Sequence, residues 1–257
     1  MPSTPASAPE LLAAFDEQIR RRPVPDGPDD AVESEDGVVR CVSVGGGWSG
    51  VTYSDLAGRD ADAVIAAQVA RIPGTWEWKH YSYDEPPDLP DRLRAAGFEA
   101  EETESLMVAD LHTFAIDAPP PDGVELRLVD AAGLADLTSV HDAVFGGDHT
   151  DLEAMVLAGL ARGTVFPMVA YDGGTPVAGG RLVVEEGTEF ASLWGGCTLP
   201  EYRGRGIFRA LVAGRAQLAR ERGSRYLQVD AMDTSRPIFE RLGFAQLAKT
   251  TPFIRRG

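Results

Sequence analysis

Two stretches of this chain spell nearly the same loop. WSGVTYSDLAGRD, Trp48 to Asp60, aligns without a gap on WGGCTLPEYRGRG, Trp194 to Gly206, an offset of 194 − 48 = 146. Trp, Gly, Thr, Gly and Arg coincide, and the last position is Asp in the front copy and Gly in the back one. The same offset carries Gly97-Phe98 onto Gly243-Phe244, Asp84 onto Asp230, Ala67 onto Ala213 and Ala70 onto Ala216. A single offset held over some fifty positions marks an internal duplication. Such a chain folds as two related halves. The front half is expected to supply a helix over Ala61–Ala70 and a strand over Trp76–Tyr83, and to be too short for the early strands of a full copy.

Prolines set the division. IDAPPPDG, Ile116 to Gly123, cannot continue a helix or a central strand. This gives a partial domain over 1–116, a linker over 117–123 and a second domain over 124–257, each within ordinary domain size. A second proline-rich loop, Pro23 to Asp30, follows a short helix over Glu10–Arg22. In the back half the hydrophobic period alternates between two and about three and a half. Strands are expected over Val124–Val129, Val165–Tyr171, Pro176–Glu185, Glu189–Thr198, Tyr226–Ala231 and Ala245–Ile254. Helices are expected over Ala131–Phe145, Asp151–Ala161, Ile207–Arg222 and Ser235–Leu242. The DGGT and EEGT turns suit antiparallel hairpins. The class is α/β, with a mixed and mostly antiparallel central sheet flanked by helices.

A net charge of −16 argues against nucleic acid as a partner. No apolar run approaches the roughly 20 residues that span a bilayer, and the N-terminus lacks the basic and apolar regions of a signal peptide. Cys41 and Cys197 form no metal-ligand spacing, so no metal is expected, and two reduced thiols suit a cytoplasmic protein. Against that acidity, Arg203, Arg205 and Arg209 cluster in YRGRGIFRALV. This stretch follows a strand, holds two glycines and opens a long helix. Glycines admit close backbone approach, and the free N–H groups of a first helical turn form an anion site. A pyrophosphate is the natural guest. The Gly-Lys-Ser/Thr of a Walker loop and the first-strand setting of a dinucleotide fingerprint are both absent.

Arg203-Gly204-Arg205-Gly206-Ile207-Phe208, with LPEYRGRG around it and FERLGF downstream, resembles the GCN5-related N-acetyltransferase (GNAT) family. The family's signature is Arg/Gln-x-x-Gly-x-Gly/Ala, and Phe208 departs from it at the last position. The resemblance covers Val124 to the C-terminus, with the element order matching throughout. It implies a GNAT fold preceded by a partial GNAT-like repeat, and acetyl-CoA as donor to a small-molecule or peptide amine. It places Cys197, Thr198 and Leu199 beside the thioester, on a strand that splays at Gly195-Gly196. Backbone N–H groups from Arg205 to Arg209, together with Arg203, Gly204, Gly206, Ile207 and Phe208, then form the donor site. Two other readings stay open: a catalytically silent acetyl-CoA-binding regulatory module, and a transferase of a bulkier acyl-CoA.

The proton-transfer groups are less determined. The family often places a tyrosine donor in the last helix, and here that position is Phe239. Ser235, which could equally cap the helix, Asp233 and Glu189 are the candidates for catalysis. The segment VHDAVFGGDHT occupies the family's acceptor loop, so Asp148 and His149, with Trp194, are the candidates for acceptor binding; solvated loop residues are the alternative. Cys197 as an acyl-carrying nucleophile has no evident activating base and reads as a packed thiol. In the front copy Asp60 would repel a pyrophosphate, so that half is expected to have lost the donor and to serve as a partner half. A homodimer is left open.

Overall fold

The computed structural model describes residues 6–25, 30–43, 47–115, 117–147 and 150–257, the side chains of 150 and 151 excepted. The chain begins with α1 (Ala8–Phe15), extended by one π-helical turn over Asp16–Arg20. It continues through β1 (Ala31–Glu35), β2 (Val38–Val42), β3 (Gly50–Ser54), α2 (Ala61–Arg71), β4 (Trp76–Tyr81), α3 (Leu89–Ala95), β5 (Glu99–Ala100) and β6 (Glu104–Asp110). After the prolines come β7 (Val124–Leu128), α4 (Leu134–Phe145), α5 (Thr150–Arg162), β8 (Val165–Asp172), β9 (Thr175–Val184) and β10 (Phe190–Thr198). The chain ends with α6 (Ile207–Glu221), β11 (Tyr226–Ala231), α7 (Arg236–Leu242) and β12 (Ala245–Arg255).

These elements form two compact units. A back unit holds Val108–Val229 and Ile238–Phe244; a front unit holds Ala6–Met107, Asp230–Pro237 and Ala245–Gly257. The division does not follow the proline linker, because the last strand belongs to the front unit. β12 pairs antiparallel with β4, from Thr250 opposite Tyr81 to Arg255 opposite Trp76, and also with β5.

In the back unit the strand order is β11-β10-β9-β8-β7. Only the β10–β11 pair is parallel; the others are antiparallel. The apolar stripe of α6 places Ile207 and Leu211 in one buried cluster with Met168, Ala170, Val177 and Ala178 of the sheet. Leu134 and Leu137 of α4 and Val156 of α5 form a second cluster with Val165, Val169 and Tyr171. The unit is thus an open mixed sheet flanked by helices.

The front unit has the order β1-β2-β3-β4-β12, with β3 and β4 parallel. Its core gathers Val38, Val51, Ile65, Leu89, Leu93 and Phe253 around Trp76 and Trp78, with Phe98 edge-on to Trp76 at 4.9 Å. β1 and β2 supply the early strands that the sequence led us to regard as missing. Asp36 (φ 53°) and Gly37 (φ 83°) close them as a type I′ hairpin, which needs positive φ at both turn residues.

The duplication is visible in the order β3–α2–β4–α3, which repeats β10–α6–β11–α7. α2 starts at Ala61 and α6 at Ile207, the same offset of 207 − 61 = 146. However, α2 has 11 residues and α6 has 15, so β4 begins early and ends at Tyr81 rather than Tyr83. Asp84, aligned on Asp230 of β11, therefore lies in a turn and has a different use. Both of its oxygens accept from the Arg20 guanidinium, at 2.9 and 3.0 Å, and Oδ2 also accepts from the Tyr81 N–H at 3.0 Å and from Ser54 Oγ at 3.5 Å. Arg20 is 1% exposed and sits over the Tyr81 ring at 4.1 Å, with Tyr83 OH accepting from it at 3.0 Å. The four aromatics of the expected strand, Trp76, Trp78, Tyr81 and Tyr83, are thus two buried tryptophans plus two tyrosines that enclose a cation.

Candidate active site

The site is built where β10 leaves its neighbour. β10 pairs with β11 over Phe190–Ser192, and its register on β9 shifts between Trp194 and Cys197. Gly195 takes φ +58°, and a Cβ there would lie 2.7 Å from His141 Cε1. A Cβ on Gly196 would lie 3.1 Å from the Phe208 ring and 3.3 Å from Arg215 Nη2. Two glycines are therefore what lets the strand break between packed helices.

The break is supported by a buried arginine and a buried histidine. Arg215, 1% exposed, donates from Nε to Leu211 O at 3.1 Å and from Nη1 to Arg181 O at 3.2 Å and Trp194 O at 3.4 Å. Burial holds its guanidinium down to about 10. His141 of α4 lies 2.8 Å from Gly195 O through Nε2. Sequence reasoning noted His141 with the acceptor-loop segment and missed Arg181 and Arg215. The available signal was Arg215's place four residues after Leu211 on the apolar stripe of α6.

Beyond the break, one 3₁₀ turn over Pro200–Tyr202 leads to the glycine loop. Arg203 Nε donates to Thr198 O at 3.2 Å, tying the loop to the strand end. Gly204 (φ +75°) and Gly206 (φ +86°) occupy the left-handed region that glycine adopts without strain. Gly206 is the N-cap of α6, and no side chain caps that terminus. Its first-turn N–H groups are therefore free for an anion, with the helix dipole behind them. Arg205 pairs with Asp172 at 3.0 Å, Ile207 is buried in the core, and Phe208 packs on Phe239 at 5.9 Å. Arg209 lies over the N-cap, with Nη2 3.9 Å from where a Gly206 Cβ would be.

The strand-end candidates are mostly committed to packing. Cys197 is buried and its thiol is pushed up to about 11 by burial. Leu199 donates its N–H to Val177 O at 3.0 Å, while Thr198 Oγ1 is buried without a partner. Trp194 stays 44% exposed, its Nε1 donating to Ser192 Oγ at 2.8 Å and Ser192 Oγ in turn to Glu185 at 2.5 Å.

Each proton-transfer candidate has local partners of its own. Glu189 precedes β10 at its other end, eight residues or about 26 Å of extended strand from Cys197. It faces Arg225 at 3.8 Å. Ser235 and Asp233 belong to the front unit. Ser235 Oγ donates to Met232 O at 3.1 Å. Asp233 accepts from Lys249 Nζ at 3.2 Å, which holds its carboxyl below the usual range. Phe239, where the resemblance expects a hydroxyl, is 3% exposed between Phe208 and Phe244. Asp148 and His149 lie outside the described residues. Among the described residues, no three His, Cys, Asp or Glu side chains gather into a metal-holding group, and no helix is long and apolar enough to cross a membrane.

The front copy answers the glycine loop with a filled terminus. Asp60 is the N-cap of α2, and its Oδ1 accepts from Ala63 N at 3.1 Å. The amide that α6 leaves open is occupied here by the chain's own carboxylate.

In sequence, residues 134–244 match the acetyltransferase (GNAT) family. In structure, the chain resembles a GCN5-related N-acetyltransferase from Kribbella flavida, with a TM-score of 0.67 and 15% identity over 99% of this chain and 97% of that one. A tandem GNAT protein from the clavulanic acid biosynthesis pathway gives 0.60 at 13% identity, over 98% of this chain and 97% of its own. A GCN5-related N-acetyltransferase from Sphaerobacter thermophilus gives 0.55 at 16%, over 98% of this chain and 86% of its own. At these identities the likeness is one of fold, and it takes in the front half as well as the back. No curated protein matches the chain in sequence.

Proposed function

We propose that the GNAT domain at residues 134–244 uses acetyl-CoA to acetylate a primary amine, with one donor site per chain, at the start of α6. The family is one of N-acyltransferases; the donor, the amine and the single site are our reading. The observation that carries it is the contrast between two equivalent helix ends. α6 opens on a left-handed glycine with no side-chain cap, whereas α2 is closed by Asp60.

The residues present fit the donor. The first-turn N–H groups of α6, with Arg203 and Arg209 beside them, suit a pyrophosphate, and since β10 follows β11 only over Phe190–Ser192, an extended amide chain would run along β10 beyond that point. Acetyl-CoA supplies the acyl group, already activated as a thioester. The protein's part is to fix that group in the strand break and to exclude water from it. Arg215, held under the break by three carbonyl oxygens, keeps a positive charge close to Gly196. Ser235, Asp233 and Glu189 are carried in the proposal as proton-transfer candidates, each to be tested by substitution with alanine.

The experiment is calorimetry of the full chain with acetyl-CoA, followed by thiol release with a panel of primary amines and with longer acyl-CoA donors. One equivalent of acetyl-CoA bound and thiol released with an amine is the expected result. Failure to bind acetyl-CoA would remove the reading. The packing of Phe239 favours one second reading, a donor-binding module without turnover; it predicts binding and no thiol release with any amine or donor.

A further inference from the structure

Arg181 is an arginine without an acid, in a chain that has 40 Asp and Glu against 24 Lys and Arg. Several arginines of the back unit find carboxylates, Arg127 with Glu125, Arg205 with Asp172, and Arg225 with Asp110 and Glu189, while Arg203, Arg215 and Arg220 donate to backbone carbonyls. Among the described residues no carboxylate acts on Arg181; burial alone does so, holding its guanidinium down to about 10. Its Nε is shut away from solvent and has no hydrogen-bond partner. A guanidinium presents a rigid fork of donors that matches a carboxylate with two parallel bonds. An unsatisfied buried donor calls for an explanation, and an absent ligand is one.

The surroundings are built for a ligand. Arg181 stands opposite Trp194 in the β9–β10 register, with its guanidinium carbon 5.7 Å from the indole centroid. That indole is exposed, yet it is held in place through Ser192 and Glu185. A Cβ on Gly195 would fall 3.1 Å from Arg181 Nη1, so the glycine keeps side chains out of the space beside that nitrogen. Gly179, two residues before Arg181 on β9, stands opposite Cys197. Arg181 thus stands at the near side of the break, about 7 Å along β9 from the position opposite Cys197, a span of a few covalent bonds.

We propose that Arg181 binds the carboxylate of the acceptor, which makes the acceptor an amino-acid-like molecule carrying both an amine and a carboxylate. The proposal rests on the acetyltransferase reading above and narrows its substrate class. Trp194 forms the apolar wall along which the acceptor's hydrocarbon lies. In so acidic a chain a carboxylate substrate needs such a dedicated cation, since the overall field repels it.

The test is side-chain proton–nitrogen NMR of the full chain, with the Nε–H resonance of Arg181 assigned by its loss in Arg181→Gln. The probes are the product-like acids N-acetylglycine, N-acetyl-β-alanine and Nα-acetyllysine, each titrated beside its own amide in the presence of CoA. A saturable shift with at least one acid and none with its amide is expected. Arg181→Lys is expected to bind that acid at least about tenfold more weakly, as the loss of one charge-assisted fork requires, while binding acetyl-CoA as the wild type does. No saturable shift with any of the three acids, or equal shifts with acid and amide, would overturn the assignment. Acetyl-CoA calorimetry on the same samples keeps the two readings apart, because failure of the acetyltransferase reading appears there and not in the response to the acids.

Discussion

Replacing Gly206 by Asp writes the front copy's residue into the back copy, and the structure sets the size of its effect. At φ +86° a side chain costs about 1–2 kcal/mol in a left-handed position. There is no steric surcharge, because the nearest atom to the new Cβ is Arg209 Nη2 at 3.9 Å. For a chain of this length that lowers Tm by roughly 2–8 °C, so the variant stays folded at room temperature. Binding suffers more. A carboxylate about 4 Å from a pyrophosphate meets a repulsion of about 1 kcal/mol per unit charge in water, and two charges face it. Loss of one charge-assisted N–H bond adds about 2 kcal/mol. The sum, about 4 kcal/mol, weakens acetyl-CoA by roughly a thousandfold. Gly206→Asn makes the same backbone demand without the charge, so it should bind about thirtyfold more tightly than Gly206→Asp. Calorimetry on the three proteins measures this directly. Equal affinity in all three would refute the anion site, and equal weakness in both variants would show that backbone shape, not charge, does the selecting.

Asp60→Ala removes the cap of α2 and leaves Ala63 N without its partner; a loss of about 1 kcal/mol, read as a Tm lower by roughly 2–4 °C, is expected. An unchanged Tm would mean that the cap adds nothing. Cys197, its thiol pushed up to about 11 by burial, should react with iodoacetamide at pH 8 about a hundredfold more slowly than in the unfolded chain. Rapid labelling of Cys197 would instead revive it as a nucleophile. His80 is held neutral by burial, helped by the positive Arg20 and Arg94, with a folded value of about 4 against 6.5 when unfolded. Between those values the unfolded chain binds more protons, so this group's contribution is complete above pH 6.5 and is lost as pH falls towards 4. Urea midpoints of His80→Phe should therefore change less than wild type from pH 6.5 to 4.5; parallel slopes would remove His80 from the acid response.

The glycine loop and the helices were legible because their signals are local. Positive-φ glycines before an apolar stripe leave few alternatives, and α6 begins at the expected Ile207. β1 was hidden by composition: all five residues of AVESE are exposed, so an edge strand shows no apolar alternation. Its turn was readable in Asp36-Gly37. Tyr83 and Asp84 misled because the ungapped offset ignores the four residues that α2 lacks. The buried arginines were illegible for a different reason. Arg215 shows in the sequence only as a charge on the apolar stripe of α6; its partners, the carbonyls of Arg181 and Trp194, are set by the strand break. Which unit β12 completes is a matter of long-range pairing, which no local pattern encodes.

That last pairing bears on how the chain is made. β4 emerges from the ribosome about 170 residues before the strand it pairs with, since Thr250 lies opposite Tyr81. Until β12 has emerged, the edge of β4 that takes it stays unpaired and Phe253 is missing from the core around Trp78. The back unit, by contrast, has all its residues by Phe244. The half that is translated first is therefore finished last, and a nascent chain stalled between Phe244 and Thr250 would carry a complete back unit and an unfinished front one.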